Sequence, residues 1–245
     1  MTSTTRRLAA AAVSVAFLAG LSGCAFFAPE HRVSDGATVD ERVDGIRIDA
    51  PQGSVTIRGG ADATAITIER TVRYRGTERE IPASHEVLGG ELVLGGCGRH
   101  CTVEYVVDVP AGLDVEGRTS NGSIELSAVG DVDVETDNGR IELDGVAGSV
   151  AAQTSNGRVI GRALAGGPIE VATSNGGVQL ELETAQDVRA TTSNGAIDLA
   201  VPDASYRVRT DTSNGGIDVG VPDDPDGEFT LDLRTSNGSI TVTTT

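Results

Sequence analysis

The chain has no Lys, no Trp and only three His in 245 residues. All 19 of its basic residues are Arg, against 36 Asp and Glu, so the formal charge is −17. A polyanion of this kind lacks the clustered cations that phosphate contacts need, which excludes nucleic acid as a partner. Aromatic residues make up 3% of the chain, and Phe17, Phe26 and Phe27 fall at its N-terminal end. A core built on large rings is thereby excluded, and Val, Ile, Leu, Ala and Gly must fill it. His31, His85 and His100 all precede residue 102, so a Ser-His-Asp triad would have to recruit a distant Ser. No window carries the periodicity of a long amphipathic helix. Gly, at 32 residues, stands at about twice the ~7% of ordinary proteins; with Thr, Asp and Val it favours short strands and turns.

Arg6, Arg7, the apolar run from Leu8 to Gly20, and Leu21-Ser22-Gly23-Cys24 together form an export signal, too short for a transmembrane helix. The small residues before a single Cys resemble the lipobox of prokaryotic lipoproteins. That resemblance implies a lipoprotein signal peptide over 1–23 and lipidation of Cys24, where two acyl chains give a stable anchor and one does not. A plain signal peptide cleaved elsewhere is the alternative. Thr5-Arg6-Arg7-Leu8 matches the twin-arginine export pattern poorly. Loss of residues 1–23 removes two Arg and no acid, so the mature charge is 17 − 36 = −19. Residues 24–38 read as a lipidated tether without periodicity. No later stretch approaches a membrane-spanning apolar run. The expectation is a protein exported and held on the outer face of the cell membrane.

Residues 111–245 are dominated by one repeated turn. Thr-Ser-Asn-Gly, or Thr-Asp-Asn-Gly in one copy, places Asn at 121, 138, 156, 175, 194, 214 and 237, at spacings of 17 to 23 residues. Each copy is flanked by apolar/polar alternation, which means strands with one dry and one wet face. Ile124, Ile141, Val159, Val178, Ile197, Ile217 and Ile240 share one inward position. Val115, Val132, Val150, Ile169, Val188, Val208 and Leu231 share another. Glu116, Asp133, Glu125, Glu142, Asp198 and Asp218 point outward, so the excess acid sits on the solvent face.

Two architectures carry this pattern. Asn-Gly between strands is a strong hairpin signal through the type I′ turn. Alternatively each repeat is one coil of a parallel β-solenoid, with equivalent strands stacked about 4.8 Å apart. A hairpin has no use for a Thr-Ser before the Asn-Gly, whereas stacked corners place identical side chains on one another, and Asn or Thr can then form hydrogen-bonded ladders. The solenoid is favoured: an all-β fold of about seven coils, with the seven Asn as structural corner residues and Asn237 in the last repeat, short of one neighbour. Residues 39–110 form a less regular N-terminal β section, with strands around 46–57, 65–74, 91–94 and 103–109, and could cap the array.

At Val109-Pro-Ala-Gly-Leu-Asp-Val-Glu-Gly-Arg-Thr-Ser-Asn-Gly-Ser-Ile-Glu-Leu and the copy that follows, the chain resembles a bacterial and archaeal β-strand-repeat family regarded as adhesin-like. The resemblance covers residues 39–245. It implies a β-solenoid-like fold and a surface role, and it supplies no active site.

Little catalytic chemistry is on offer. Cys97-Gly98-Arg99-His100-Cys101 is the one constellation with sequence logic. In an exported protein the pair reads as a disulfide, which requires a turn there, because an extended strand would hold the two Cα atoms about 13 Å apart. A metal site with His100 and free thiols are the alternatives. Acidic rows would give glycosidase-like carboxylate spacings on any acidic solenoid, but no sheltered acid or aromatic platform accompanies them. The calcium-binding nonapeptide of β-rolls is absent, and Gly95-Gly96 and Gly166-Gly167 read as turns. The sequence therefore points to a non-enzymatic, lipid-anchored surface scaffold, without metal or cofactor. Its expected partner is a cell-surface or matrix component. The alternative is an envelope sensor or accessory subunit working with a membrane protein of the same cell, and a glycan-active enzyme ranks third.

Overall fold

The computed structural model describes residues 29–245; Cys24 lies outside them. All the regular structure described is β. The N-terminal section supplies β1 (Glu30–Val39), β2 (Gly45–Asp49), β3 (Gly53–Gly60), β4 (Ile66–Arg75), β5 (His85–Leu88), β6 (Glu91–Gly95) and β7 (Cys101–Pro110). Each repeat then gives two strands, one on either side of its Asn-Gly. These are β8 (Asp114–Asn121) and β9 (Ile124–Ser127), β10 (Val132–Asn138) and β11 (Ile141–Asp144), β12 (Val150–Asn156) and β13 (Val159–Leu164), and β14 (Ile169–Asn175) and β15 (Val178–Leu182). The remaining pairs are β16 (Val188–Asn194) and β17 (Ile197–Val201), β18 (Tyr206–Asn214) and β19 (Ile217–Val219), and β20 (Phe229–Asn237) and β21 (Ile240–Thr244).

The two strands of a repeat enter different sheets. They do not pair with each other, which is not the arrangement of a hairpin. One sheet has 11 strands and the other 10; all pairs between repeat strands are parallel, and all but β13 with β15 stay in register throughout. Val132, for example, lies between Val115 and Val150, and Ile141 between Ile124 and Val159. The inward Val, Ile and Leu of both sheets meet in one continuous buried core. Gly161 occupies an inward slot that is Leu143 and Leu180 in the adjacent layers. A bulge between Gly161 and Leu164 turns Leu164 inward, and its Cδ1 would stand 2.7 Å from a Cβ at 161. A neighbour in sequence thus fills the volume the glycine leaves.

Two features depart from the sequence reading. First, the last two repeats exchange places: the layer of β20 and β21 lies between that of β16 and β17 and that of β18 and β19. Asn237 therefore has neighbours on both sides, and Asn214 stands at the open end. Ile217 is 47% exposed, not buried, and Val208 is half-buried. Side-chain chemistry accounts for the exchange. Asp232 sits directly between Arg189 and Arg209, whereas stacking in chain order would oppose the two Arg, which is destabilising. The inward slots of β20 are Leu231 and Leu233, fully buried; β18 offers Val208 and the polar Thr210, which suit a terminal layer.

Second, residues 30–39 are not tether but strand, paired antiparallel with β4 along its length. The alternation His31, Val33, Asp35, Ala37, Val39 was hidden because two of its inward members are polar. His31 stacks on Tyr74, with ring centroids 5.1 Å apart, and Asp35 meets an inward Arg70. At this end the parallel repeats abut β2 and β3; β4, antiparallel to β7, and the edge strand β5, antiparallel to β6, run the other way, while β1 at the edge of the other sheet, antiparallel to β4, runs with the repeats again.

Candidate functional site

The Thr-Ser-Asn-Gly corner forms the most regular polar surface. The side chains of Asn121, Asn138, Asn156, Asn175, Asn194, Asn237 and Asn214 follow one another in that spatial order. From Asn138 onward, each Nδ2 donates to the Oδ1 of the preceding Asn in that order at 3.0–3.1 Å. All seven Asn are exposed. Beneath them, the Thr of each motif turns inward. Thr136 Oγ1 donates to the Gly122 carbonyl at 3.1 Å, Thr154 to Gly139 at 2.9 Å and Thr173 to Gly157 at 2.9 Å, and the pattern continues to Thr212 and Gly238. The glycine is demanded by this approach: a Cβ at Gly157 would overlap the Gly139 carbonyl oxygen, and the same holds at the equivalent positions. The residues of the motif thus divide the work, with Thr as buried donor, Asn as exposed rung and Gly as the acceptor with no Cβ. The intervening Ser, half- to fully exposed, leaves its hydroxyl toward solvent.

Sequence reasoning missed a second polar feature, centred on Arg70. In β4 the alternation Ile66, Ile68, Arg70, Val72, Tyr74 places Arg70 in an inward slot, where its side chain is 2% exposed. That interruption of an apolar row was the available signal. Arg70 Nε donates to Asp35 Oδ1 at 2.9 Å, and Nη2 donates to Oδ2. Nη1 donates to the Pro82 carbonyl at 2.7 Å and to Ser84 Oγ at 2.9 Å. Tyr105 has one hydroxyl proton and two carbonyl acceptors, Gly95 O at 2.8 Å and Ser84 O at 2.9 Å. Ser84 Oγ therefore donates to Tyr105 OH across their 2.6 Å contact. The network ties β1, β4 and β7 to the strand-linking segment before β5. Hydrogen bonds from Arg70 hold the Asp35 carboxyl below the usual carboxylate range. Burial pushes the Tyr105 phenol up. Burial, helped by the Arg70 charge, pushes His85 down, and its Nδ1 is buried without a hydrogen-bond partner among the described residues. Ser84 Oγ is engaged by Arg70 and Tyr105, not by an imidazole, so the arrangement is a structural clasp and not a nucleophile–base pair.

Cys97 and Cys101 are joined by a disulfide with Cα atoms 6.0 Å apart, in the turn between β6 and β7. His100 sits in that turn with φ of 60°, a left-handed backbone conformation. On the outer faces, acids and Arg interleave: Arg162 bonds Glu142 at 2.8 Å, and Arg140 lies 3.7 Å from Glu125 and 3.5 Å from Glu142. A shallow groove of about 390 Å³ runs across β12, β14, β16 and β20, with Ala151, Pro168, Glu170, Arg189 and Asp232 among its walls. The arrangement can present in-register polar and charged rows.

A family model for Toastrack DUF4097 matches residues 43–245, which is nearly all of the described chain. The chain belongs to the Toastrack DUF4097 family. The resemblance read from the repeats and this match agree. No curated protein matches the chain. Among solved structures, this Toastrack protein is similar to a candidate adhesin from Bacteroides fragilis NCTC 9343, at 12% identity over 86% of this chain and 97% of that one, with a TM-score of 0.48. It is also similar to a candidate adhesin from Parabacteroides distasonis ATCC 8503, at 12% identity over 86% and 96%, with a TM-score of 0.45. A candidate cell adhesion protein from Clostridium sporogenes ATCC 15579 matches at 11% identity over 88% and 100%, with a TM-score of 0.39.

Proposed function

We propose that this Toastrack protein is a non-enzymatic β-solenoid scaffold at the cell surface, anchored through lipid on Cys24, which binds a cell-surface or matrix partner at many equivalent points. The observation that carries the reading is the in-register repetition of the corner. One exposed Asn and one half- to fully exposed Ser or Asp recur in every layer, so a repetitive partner meets the same chemistry repeatedly. Linked weak contacts of that kind raise avidity by about 10²–10⁴ without a deep pocket. The candidate adhesins of similar fold are in keeping with a surface role. The start of β1 at Glu30 leaves a short link from Cys24, five residues ending at Pro29, which spans no more than about 18 Å.

The test is a fragment beginning at Pro29, which retains β1, compared free and clustered on beads against cells, matrix polymers and envelope proteins of the producing cell. Tighter binding on clustering, to a repetitive partner, is expected. Where acidic rows take part, salt should weaken it. Binding confined to one membrane protein of the same cell, unchanged by clustering, replaces this reading with that of an accessory subunit.

A further inference from the structure

Every asparagine of the chain, all seven, is followed by glycine. Asn-Gly is the dipeptide most prone to spontaneous loss of the side-chain amide, because glycine has no Cβ to shield its backbone nitrogen from the neighbouring Cγ. The fold protects six of the seven copies by one device. The N–H of Gly122, Gly139, Gly157, Gly176, Gly195 and Gly238 donates to the main-chain carbonyl of the Asn in the next layer, at 3.0–3.1 Å. A nitrogen held in that bond points along the stack and cannot turn on its own Asn side chain.

Gly215 is different. Its layer is the outermost of the described stack, and among the described residues no layer beyond it carries an Asn carbonyl. Its N–H has no acceptor among the described residues, and it is the one exposed glycine of the seven, the others being half-buried. Asn214 is likewise held on one side only: its Nδ2 donates to Asn237 Oδ1, and no further Asn donates to it. Gly216 follows, where a Cβ would meet nothing within 4 Å.

We infer that Asn214 is a site of spontaneous modification, converting to aspartate and isoaspartate in the native protein while the six other Asn-Gly pairs are preserved. The Gly215 nitrogen attacks Asn214 Cγ. The N–Cγ bond forms, the Cγ–Nδ2 bond breaks, and the amide proton of Gly215 leaves with the departing ammonia. Water, the only co-reactant, opens the resulting succinimide at either carbonyl. The product loses the Nδ2 donor to Asn237 and places a carboxylate at the open end of the stack, so the terminal layer carries a record of the protein's age.

Purified protein held at mildly alkaline pH, sampled over time and digested with trypsin, tests this directly. With no Lys in the chain, trypsin cuts only after Arg. Asn214 falls alone in Thr210–Arg234, and Asn156, Asn175, Asn194 and Asn237 each fall in a peptide of their own. Mass spectrometry then reads the gain in mass from amide to acid, and the isoaspartyl form by its separate elution. The Thr210–Arg234 peptide should convert about tenfold or more faster than any other, the factor one hydrogen bond sets. In guanidinium-unfolded protein the seven sites should convert at similar rates, which removes any effect of the residues that follow each glycine. Native conversion that is fastest elsewhere, equal at all sites, or missing at Asn214 over a period in which the unfolded chain reacts, would overturn the inference.

Discussion

Thr154→Val separates the contribution of the buried hydroxyl from that of the shape around it. Valine keeps the volume and β-branching of threonine, so the strand and its packing are retained. What is lost is a bond of 2.9 Å to the Gly139 carbonyl, from a residue that is 1% exposed. The carbonyl is left without that donor between two layers, and a methyl group must stand where a hydroxyl stood in hydrogen-bond contact. A buried acceptor deprived of its partner costs about 1–3 kcal/mol, and the steric mismatch places the change at the upper end. For a domain of this size that is a fall in Tm of about 4–10 °C. Thr212→Val makes the same chemical change at the open end, where the hydroxyl donates to Gly238 at 3.0 Å from a half-exposed position. Solvent can reach that acceptor, and the loss should stay below about 1 kcal/mol. Urea unfolding followed by far-ultraviolet circular dichroism measures both. Equal losses at the two sites, or no loss at Thr154, would refute the assignment of this stability to the inward Thr row.

Gly157→Ala should cost more than about 3 kcal/mol or prevent folding, since its methyl would overlap the Gly139 carbonyl, while Gly216→Ala should be nearly neutral; solubility and denaturant midpoints compare the two. Arg70→Met should cost about 3 kcal/mol by leaving Asp35, Ser84 and the Pro82 carbonyl unpaired, read from the same midpoints. His85 and Asp35 both have depressed pKa values in the fold. Their contribution is therefore fully present above the ordinary imidazole and carboxylate ranges and is lost as pH falls through these ranges toward the depressed values. Stability should decline below the ordinary imidazole range, and His85→Gln should flatten the first part of that decline; an unchanged profile removes His85 from the account. Cys24→Ser should abolish incorporation of radiolabelled palmitate and reduce membrane retention, and labelling at the wild-type level would refute the lipobox.

Alternation and identical corners were enough to read strands, faces and the positions of the inward Val and Ile rows, because each depends on residues adjacent in sequence. The exchange of the last two repeats depends on a comparison between distant ones. Its traces were present in Thr210 at an apolar slot, in the alternation of Arg189, Asp232 and Arg209, and in the long spacing before Asn237, but each is a preference about neighbours that a single repeat does not reveal. β1 and the Arg70 clasp escaped for a related reason. Asp35 and Arg70 each break the pattern of their own strand, and they make sense only when placed opposite one another. Stacking implied ladders of Asn or Thr at the corner; the Asn ladder lies in solvent, and the Thr row carries the buried bonds, made to glycine carbonyls and not to one another.

Because β20 and β21 enter beneath a layer that precedes them in the chain, the structure cannot be completed by laying down its repeats in the order they are made. Were β18 to dock on β16 when it first becomes available, Arg209 would meet Arg189 and Thr210 would occupy a core position, so that intermediate is poorly matched and readily displaced. The nine-residue connection from Gly220 to Glu228 gives the final segment the slack to pass back and take the inner place. Its Asp223 carboxylate and Asp224 amide then close over the start of β18, at 2.9 Å and 2.8 Å. The C-terminal segment thus sits as a keystone within the stack. A chain stopped after residue 228 would not be the same stack one layer shorter, but one lacking an interior course, with its outermost course left on the wrong support.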